Sequence, residues 1–287
     1  MDAKTIQTAC VLGAGTMGHG IAHCLAAIGV QARLYDVDSA AVAKGLAGIR
    51  SNLDKGVEKG KLTAESRDLA LSRIAGTTDL DAGIRGVQVV IEAVPEKLEL
   101  KRALFQRLSA ALGPEVLLAS NTSSLSITKI AEVSRHPERV VGMHFFNPVH
   151  LMKLIEVVRA EQSSPAAVRA AVELGVRMGK DPIEVRDTPG FASSRLGICI
   201  GLEAMRMFES GVASAEDIDK AMVLGYGFPM GPLRLTDLVG LDVRLGIAEH
   251  LARELGPRFE PPRVLREMVA AGKLGKKSGQ GFYAWPG

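Results

Sequence analysis

The hydrophobic positions of this chain fall into two kinds of segment. Short apolar runs, most of them rich in Val, Ile or Leu, predict buried strands at 9–12, 32–35, 87–91, 116–119, 140–143 and 154–158. Longer stretches with helical periodicity lie between several of them, at 18–29, 39–53 and 98–112. This alternation of strands and helices predicts a parallel sheet covered by helices.

The strand signals stop near Asp187, and the rest of the chain predicts helices. One helix is expected over 191–210, ended by Gly211, and a Ser214-x-x-Asp217 capping box precedes another near 218–224. We therefore expect two domains, 1–187 and 188–287. Met205, Met207 and Phe208 indicate an apolar surface that packs within this domain or against a second copy of the chain.

The segment 39–73 is longer than a simple return crossover and rich in Lys, Arg and Glu. It predicts a charged helical hairpin outside the sheet. A solvated face without a ligand is the alternative interpretation.

A glycine-rich turn follows the first predicted strand. The sequence GAGTMG at 13–18 places G-x-G-x-x-G at the start of an apolar helix. Gly13 would form the tight turn, Gly15 would let the backbone approach a pyrophosphate, and Gly18 would pack the helix on the strand. We expect a side chain at any of the three to clash. Asp36 ends the second strand, where its carboxylate can accept the adenosine ribose hydroxyls. The expected cofactor residues of this region are Gly13, Gly15, Thr16, Met17, Gly18 and Asp36.

These features predict an α/β fold with a Rossmann-type doubly wound, mostly parallel sheet, a helical-hairpin insertion and a smaller all-α C-terminal domain. NAD is favoured over NADP because no Arg directly follows Asp36, although Arg33 precedes it. His19 and His23 have the spacing of two ligands on one helix face, but the Glu of a zinc-protease helix is missing between them. No metal is expected.

The composition excludes several classes of protein. Hydrophobic residues make up 47% and charged residues 23%, as in ordinary soluble globular proteins. Because 35 basic residues face 32 acidic ones, nucleic-acid binding is not indicated. The cysteines, Cys10, Cys24 and Cys199, are interpreted as reduced core residues. With no recognisable signal peptide and no apolar run of membrane-spanning length, we expect a cytoplasmic protein without a membrane partner.

Chemically useful side chains follow the later strands. Residues 120–124 (SNTSS) and 143–148 (MHFFNP) lie where parallel strands end, the edge at which ligands bind. Oxidising an alcohol requires a base for the hydroxyl proton, and His144 can supply it near neutral pH. Glu156 interrupts the apolar run 154–158, where a charge is costly unless paired, so His144 is its expected partner.

Several motifs together identify a family. In chain order, they are GAGTMGHGIA, VIEAVPEKLELK, ASNTSSLSIT, GMHFFNPVHLMKLIEVV, DTPGF and GKKSGQGFY. They resemble the L-3-hydroxyacyl-CoA dehydrogenase family, especially its short bacterial 3-hydroxybutyryl-CoA members, and the resemblance runs from Thr8 to Tyr283. It implies reversible, NAD-dependent oxidation of an L-3-hydroxyacyl-CoA, with 3-hydroxybutyryl-CoA the expected substrate, to the 3-oxoacyl-CoA. It also implies a homodimer formed through the helical domain.

The resemblance implies a role for individual residues as well. His144 is then the base, Glu156 its orienting partner, and Ser123 the hydroxyl that bonds the reacting oxygen. The residues it places on the nicotinamide side are Glu96, Lys101, Ser123, Asn147 and, through the C-terminal tail, Lys277. In the hairpin it places Lys59 near a CoA phosphate and Asn52 at a substrate position that is often Ser.

One position departs from the family pattern. Where the family usually has Asn before an Arg, this chain has Ser194 before Arg195. A hydroxyl can still donate one hydrogen bond to the substrate, but it is shorter than a carboxamide and lacks its second donor. Ser194 is therefore both a candidate catalytic and substrate-binding residue and a sign of an altered acyl preference. The alternative interpretation is that Ser193 and Ser194 are ordinary residues at the start of a helix.

Three alternative functions stay open. The first is an NAD-dependent dehydrogenase of a free hydroxy acid or sugar acid. The second is a hydrolase using Ser123, His144 and Glu156, although Ser123 lacks a G-x-S-x-G elbow. The third is a catalytically silent NAD-binding protein, which Ser194 would suggest.

Overall fold

The computed structural model describes residues 5–285, which form two compact units divided between Asp187 and Thr188. The described part of the first unit contains an eight-stranded sheet in the order β3-β2-β1-β4-β5-β6-β7-β8. Its strands are β1 (Thr8–Leu12), β2 (Gln31–Tyr35), β3 (Ile74–Thr77), β4 (Val89–Glu92), β5 (Leu117–Ser120), β6 (Val140–Phe145), β7 (Leu154–Arg159) and β8 (Asp181–Arg186). Its helices are α1 (Thr16–Ala27), α2 (Ser39–Glu58), α3 (Ala64–Ser72), α4 (Leu80–Ile84), α5 (Leu98–Ala111), α6 (Ile127–Ala131) and α7 (Pro165–Arg177).

The predicted fold class is confirmed, but the two edge strands of the sheet were missed. The sequence of β3, Ile-Ala-Gly-Thr, is too short and too weakly apolar to predict a strand. Its Gly76 packs closely against α2, since a Cβ there would come within 2.4 Å of Val42 Cγ1. β8 is largely exposed and contains Pro182, which an edge strand tolerates. Edge strands lack the continuous apolar run of buried ones, so hydrophobic patterning alone does not reveal them.

All neighbouring strands are parallel except β6 and β7. β1, β4, β5 and β6 therefore end at one edge of the sheet, and β7 starts there. In the register of the antiparallel pair, Phe145 lies opposite Ile155 and His144 opposite Glu156. The chain reversal thus brings both members of the predicted dyad to the ligand-binding edge.

The helical hairpin predicted at 39–73 consists of α2 and α3. Asp38 caps α2 by accepting a hydrogen bond from the Ala40 amide at 2.9 Å, and Thr63 caps α3 in the same way. Its inner face is not solvated, because Ile49 and Leu53 of α2 are buried in the core. Only the outer face of the hairpin is free to meet a ligand.

The second unit is helical. Its helices are α8 (Ser193–Glu209), α9 (Ala215–Tyr226), α10 (Pro232–Val239), α11 (Leu241–Leu255) and α12 (Arg263–Ala270). The predicted helix start at Ser214 is confirmed, since the Ser214 hydroxyl accepts from the Asp217 amide and donates to the Asp217 carboxylate. Met205 lies in the core of this unit, whereas Phe208 is exposed.

The three cysteines differ in their exposure. Cys10 and Cys24 are buried, and burial raises the pKa of the Cys10 thiol to about 12. The interpretation of Cys199 as a core residue is wrong, because it faces outward from α8. Within residues 5–285, no helix combines the length and apolar character needed to cross a membrane.

Candidate active site

The glycine turn between β1 and α1 is closely packed at two of its three glycines. Gly13 has a φ of +96°, and a Cβ there would lie 2.6 Å from the Ala93 carbonyl oxygen. A Cβ at Gly18 would lie 1.7 Å from the Gly13 carbonyl oxygen. The expected clash at Gly15 is wrong for the chain itself, because a Cβ there meets nothing within 4 Å.

This open space at Gly15 suits a diphosphate. Gly15 precedes α1 and makes no side-chain cap, so the first amides of the helix are left for an anion. Thr16 and Met17 form the first turn of this helix. The residues present therefore fit the pyrophosphate of a dinucleotide.

The Asp36 carboxylate lies beside the same turn. One of its oxygens accepts from the Ala14 amide at 2.8 Å. Arg33, which could have received a 2′-phosphate, instead donates to the carbonyls of Ala82, Gly83 and Arg85. The arginine is thus held by the 82–85 segment, and the Asp36 side of the turn keeps its negative charge, which favours NAD.

His144 and Glu156 meet directly across β6 and β7. The His144 Nδ1 and Glu156 Oε2 atoms are 2.7 Å apart, with Glu156 fully buried and His144 7% exposed. Because Nδ1 faces the Glu156 carboxylate, proton exchange with a substrate would take place at Nε2. The Phe146 ring packs against the imidazole at a centroid distance of 4.5 Å.

The loop after β5 is tied to both neighbouring strand ends. The side-chain Oδ1 of Asn121 accepts from the Phe145 amide at 2.9 Å, which fixes the loop beside the end of β6. Glu96 accepts from the Ser123 amide at 3.0 Å and also binds the Thr122 hydroxyl. Ser123, just after β5, and His144, near the end of the adjacent parallel strand β6, thus lie at one edge of the sheet.

A buried ion pair holds Glu96, the residue that binds this loop. The Lys101 ammonium lies 2.6 Å from a Glu92 oxygen and 3.3 Å from Glu96, and Lys101 and Glu92 are almost completely buried. The Ser120 hydroxyl donates to the other Glu92 oxygen at 2.6 Å. Burial raises the pKa of Glu92, and Lys101 opposes that rise. Lys101 therefore acts on the loop through Glu96.

Sequence reasoning missed Glu92 and Asn121. Glu92 carried the same signal as Glu156, a carboxylate within an apolar strand, and could have been found from it. Asn121 had no such signal, because its role depends on the contact between β5 and β6.

The other predicted site residues are distributed over both units. Asn147 is exposed just beyond β6, Asn52 is half-buried on α2, and Lys59 is exposed at the end of α2. The second unit holds Ser194, half-buried in the first turn of α8, and Lys277, which pairs with Asp242.

His19 and His23, which share one face of α1, contact different neighbours. His19 Nδ1 bonds the Gly15 carbonyl, and the His23 ring stacks on His150 at a centroid distance of 5.3 Å. Among residues 5–285, no group of three or more His, Cys, Asp or Glu converges to hold a metal ion.

Two family models match consecutive parts of the chain. The NAD-binding domain of 3-hydroxyacyl-CoA dehydrogenase matches residues 8–188, and the C-terminal domain of 3-hydroxyacyl-CoA dehydrogenase matches residues 190–285. Together they account for nearly the whole sequence.

Individual relatives agree with the models. The chain is 44% identical to 3-hydroxyadipyl-CoA dehydrogenase of Escherichia coli over 98% of its own length, but spans only 59% of that relative. It is 43% identical to the probable 3-hydroxybutyryl-CoA dehydrogenase of Bacillus subtilis, covering 99% of this chain and 98% of the relative. The crystal structure of (S)-3-hydroxybutyryl-CoA dehydrogenase from Ralstonia eutropha superimposes with a TM-score of 0.95, at 42% identity, over 99% of this chain and all of that one.

Proposed function

The chain belongs to the 3-hydroxyacyl-CoA dehydrogenase family, and from this premise we propose that it oxidises an L-3-hydroxyacyl-CoA to the 3-oxoacyl-CoA with NAD, reversibly. The observation that carries the proposal is the buried contact between His144 and Glu156 at the ligand-binding edge of the sheet.

In this mechanism, His144 Nε2 takes the proton of the substrate's C3 hydroxyl. The Glu156 carboxylate holds Nδ1 as the hydrogen-bond donor and stabilises the imidazolium that forms. Because Glu156 is fully buried, little water weakens that interaction. In the reverse direction, the imidazolium returns the proton to the 3-oxo oxygen.

Ser123 would hold the reacting oxygen. Its hydroxyl lies 3.5 Å from Glu96 Oε1, too long for a firm hydrogen bond, while its amide is fixed by the same carboxylate at 3.0 Å. The backbone of Ser123 is therefore positioned while its hydroxyl can turn towards substrate. Glu96 in turn depends on Lys101, so the buried ion pair supports the position of the hydroxyl.

The cofactor site is built from the glycine turn, Asp36 and the loops after β4 and β6. NAD bound there would accept the hydride from C3. Asp36 would bind the adenosine ribose, and Glu96 and Asn147 lie at the strand ends where the nicotinamide half is expected. Lys277 and Ser194, in the second unit, remain proposals from the family resemblance.

The outer face of α2 supports a CoA contact. A groove of about 350 Å³ runs along this helix towards the exposed Lys59, and its lining contains two cations, Arg50 and Lys55, beside two carboxylates, Asp54 and Glu58. Cations on an exposed helix end can bind phosphate. We propose that this surface, with Asn52, meets the nucleotide end of CoA.

Two further properties belong to the proposal. A homodimer through the helical unit is supported by exposed apolar side chains on α8 and α11, among them Leu196, Phe208 and Val243. A cytoplasmic location stays a prediction from the sequence.

The deciding experiment follows NADH oxidation at 340 nm with acetoacetyl-CoA, in parallel with free acetoacetate and with NADPH. We expect turnover with the CoA ester and NADH alone. Turnover of the free acid would favour the alternative, a dehydrogenase of free hydroxy or sugar acids. If NADH binds but no CoA ester of any chain length is reduced, the proposal fails.

The proposed CoA contact of the helical hairpin can be tested separately. Lys59→Glu should raise the KM for acetoacetyl-CoA and leave the KM for NADH unchanged, because the charge reversal affects only the CoA phosphates. Lys44→Glu reverses another exposed charge on α2 and serves as the control. Equal effects of both variants would refute a specific CoA contact at Lys59.

A further inference from the structure

The second unit contains a buried arginine without a counter-charge. Arg244 lies near the start of α11 and is 8% exposed. Its Nε is buried without a hydrogen-bond partner, and no residue among 5–285 forms an ion pair with its guanidinium. The nearest acidic residue in sequence, Asp242, is paired with Lys277 at 2.6 Å.

The electrostatics agree with the contacts. Burial alone lowers the pKa of Arg244 to about 10, with no carboxylate offsetting the loss of hydration. The side chain stays charged at neutral pH even so. A buried charge is costly unless it is paired, so a protein that keeps one usually has a use for it.

The guanidinium faces a stripe of small residues on α8. A Cβ at Gly197 would lie 3.3 Å from Arg244 Nη1, so only glycine leaves the guanidinium full room there. Ser194 is one turn before Gly197 on the same helix face. The arginine therefore lies one helical turn from the position at which the family resemblance places a substrate contact.

A second unpartnered polar group lies further along this face. The Thr236 hydroxyl on α10 is completely buried and has no hydrogen-bond partner. A Cβ at Gly201 would lie 3.3 Å from it, and Gly201 follows Gly197 by one turn of α8. The face Ser194, Gly197 and Gly201 is thus lined by one cationic and one neutral donor.

We propose that Arg244 binds a carboxylate at the far end of the acyl chain, so that the preferred substrates are 3-hydroxyacyl-CoA esters of dicarboxylic acids. The inference rests on the proposed function. A guanidinium presents two parallel N–H groups that match the two oxygens of a carboxylate, and their pairing restores what burial removes. With an uncharged acyl chain, the arginine stays unpaired.

The test compares acyl chains of equal length with and without the terminal carboxylate. 3-Hydroxyacyl-CoA esters of five, six and seven carbons are prepared in both forms, and kcat/KM is measured from NADH formation. We expect the best carboxylated ester to exceed its uncharged counterpart by about 100-fold, since sites with buried polar groups reject analogues that leave them unpaired. Arg244→Met should bring this ratio close to one, and Arg244→Lys should retain part of it.

Arg253→Met is the matched control, because Arg253 is exposed on the same helix. It should keep the wild-type ratio. Arg244→Met should also melt no lower than the wild type without substrate, because it removes an unpaired buried charge.

Different results would refute the role of Arg244 and the proposed dehydrogenase function. Uncharged esters oxidised as well as carboxylated ones, with a ratio that Arg244→Met does not change, would overturn the role of Arg244 and leave the proposed function standing. If Arg244→Met instead altered only the oligomeric state, the arginine would bind a carboxylate of a second copy, which also overturns the inference. No oxidation of any CoA ester would refute the proposed function itself.

Discussion

Replacing Glu156 with Gln tests the proposed mechanism most directly. The substitution keeps the size of the side chain and removes its charge from a position 2.7 Å from His144 Nδ1. His144 becomes charged only as it takes the substrate proton, so the lost attraction belongs to the transition state. With charge centres about 4 Å apart and an effective dielectric constant near 20, that attraction is about 4 kcal/mol. We therefore expect kcat to fall by about 10³.

The assay is NADH oxidation with acetoacetyl-CoA under saturating conditions, with NADH affinity measured separately by fluorescence. His144→Gln should lose at least about 10² in kcat while still binding NADH. If Glu156 acts through His144, adding Glu156→Gln to His144→Gln should cost little more.

Two results would refute this reasoning. A kcat of Glu156→Gln within tenfold of the wild type would mean that the carboxylate does not stabilise the imidazolium. Fully multiplicative effects in the double variant would mean that Glu156 acts independently of His144.

Three other predictions follow from the first unit. Gly18→Ala should lower both stability and NADH affinity because its Cβ would overlap a backbone oxygen, whereas Gly15→Ala should keep its melting temperature and lose only NADH affinity; equal melting of the two would contradict the packing described. Lys101→Met should lower the free energy of unfolding by about 3 to 5 kcal/mol by leaving Glu92 unpaired, and adding Glu92→Gln should restore much of it in urea titrations; additive losses would argue against the pair. Burial, followed by nearby His and Lys charges, lowers the pKa of His23 from 6.5 to about 4, so between these values only the unfolded chain takes up its proton. Stability should therefore fall by up to about 3 kcal/mol as the pH drops through this window, and His23→Asn should flatten the decline; an unchanged slope would exclude His23 as its source.

The fold was predictable wherever the signal lies in a few neighbouring residues. Buried strands such as β5 and β6 are visible as apolar runs, and Ser214 is visible as a helix start because its side chain can cap the first amides of the helix. β3 and β8 could not be found in this way, because edge strands are half-exposed and their pairing depends on neighbours distant in sequence.

The candidate site shows the same division. A carboxylate in an apolar strand is an anomaly visible in sequence, and it led to Glu156 and its partner His144. The engagement of Arg33 with the 82–85 segment and the isolation of Arg244 were not visible, since both depend on what surrounds a charge after folding. A sequence shows which charges exist, but only the folded chain shows which are neutralised.

The antiparallel step from β6 to β7 bears on how such enzymes diversify. His144 and Glu156 are 12 positions apart in one continuous hairpin, so an exchange of residues 140–159 as one block carries the base and its partner together. Arg244 belongs to the other unit, and it can be exchanged without touching that hairpin. If Arg244 selects the acyl chain as proposed, chimaeras of related enzymes that exchange the helical unit should change their acyl preference while proton transfer in the hairpin stays intact.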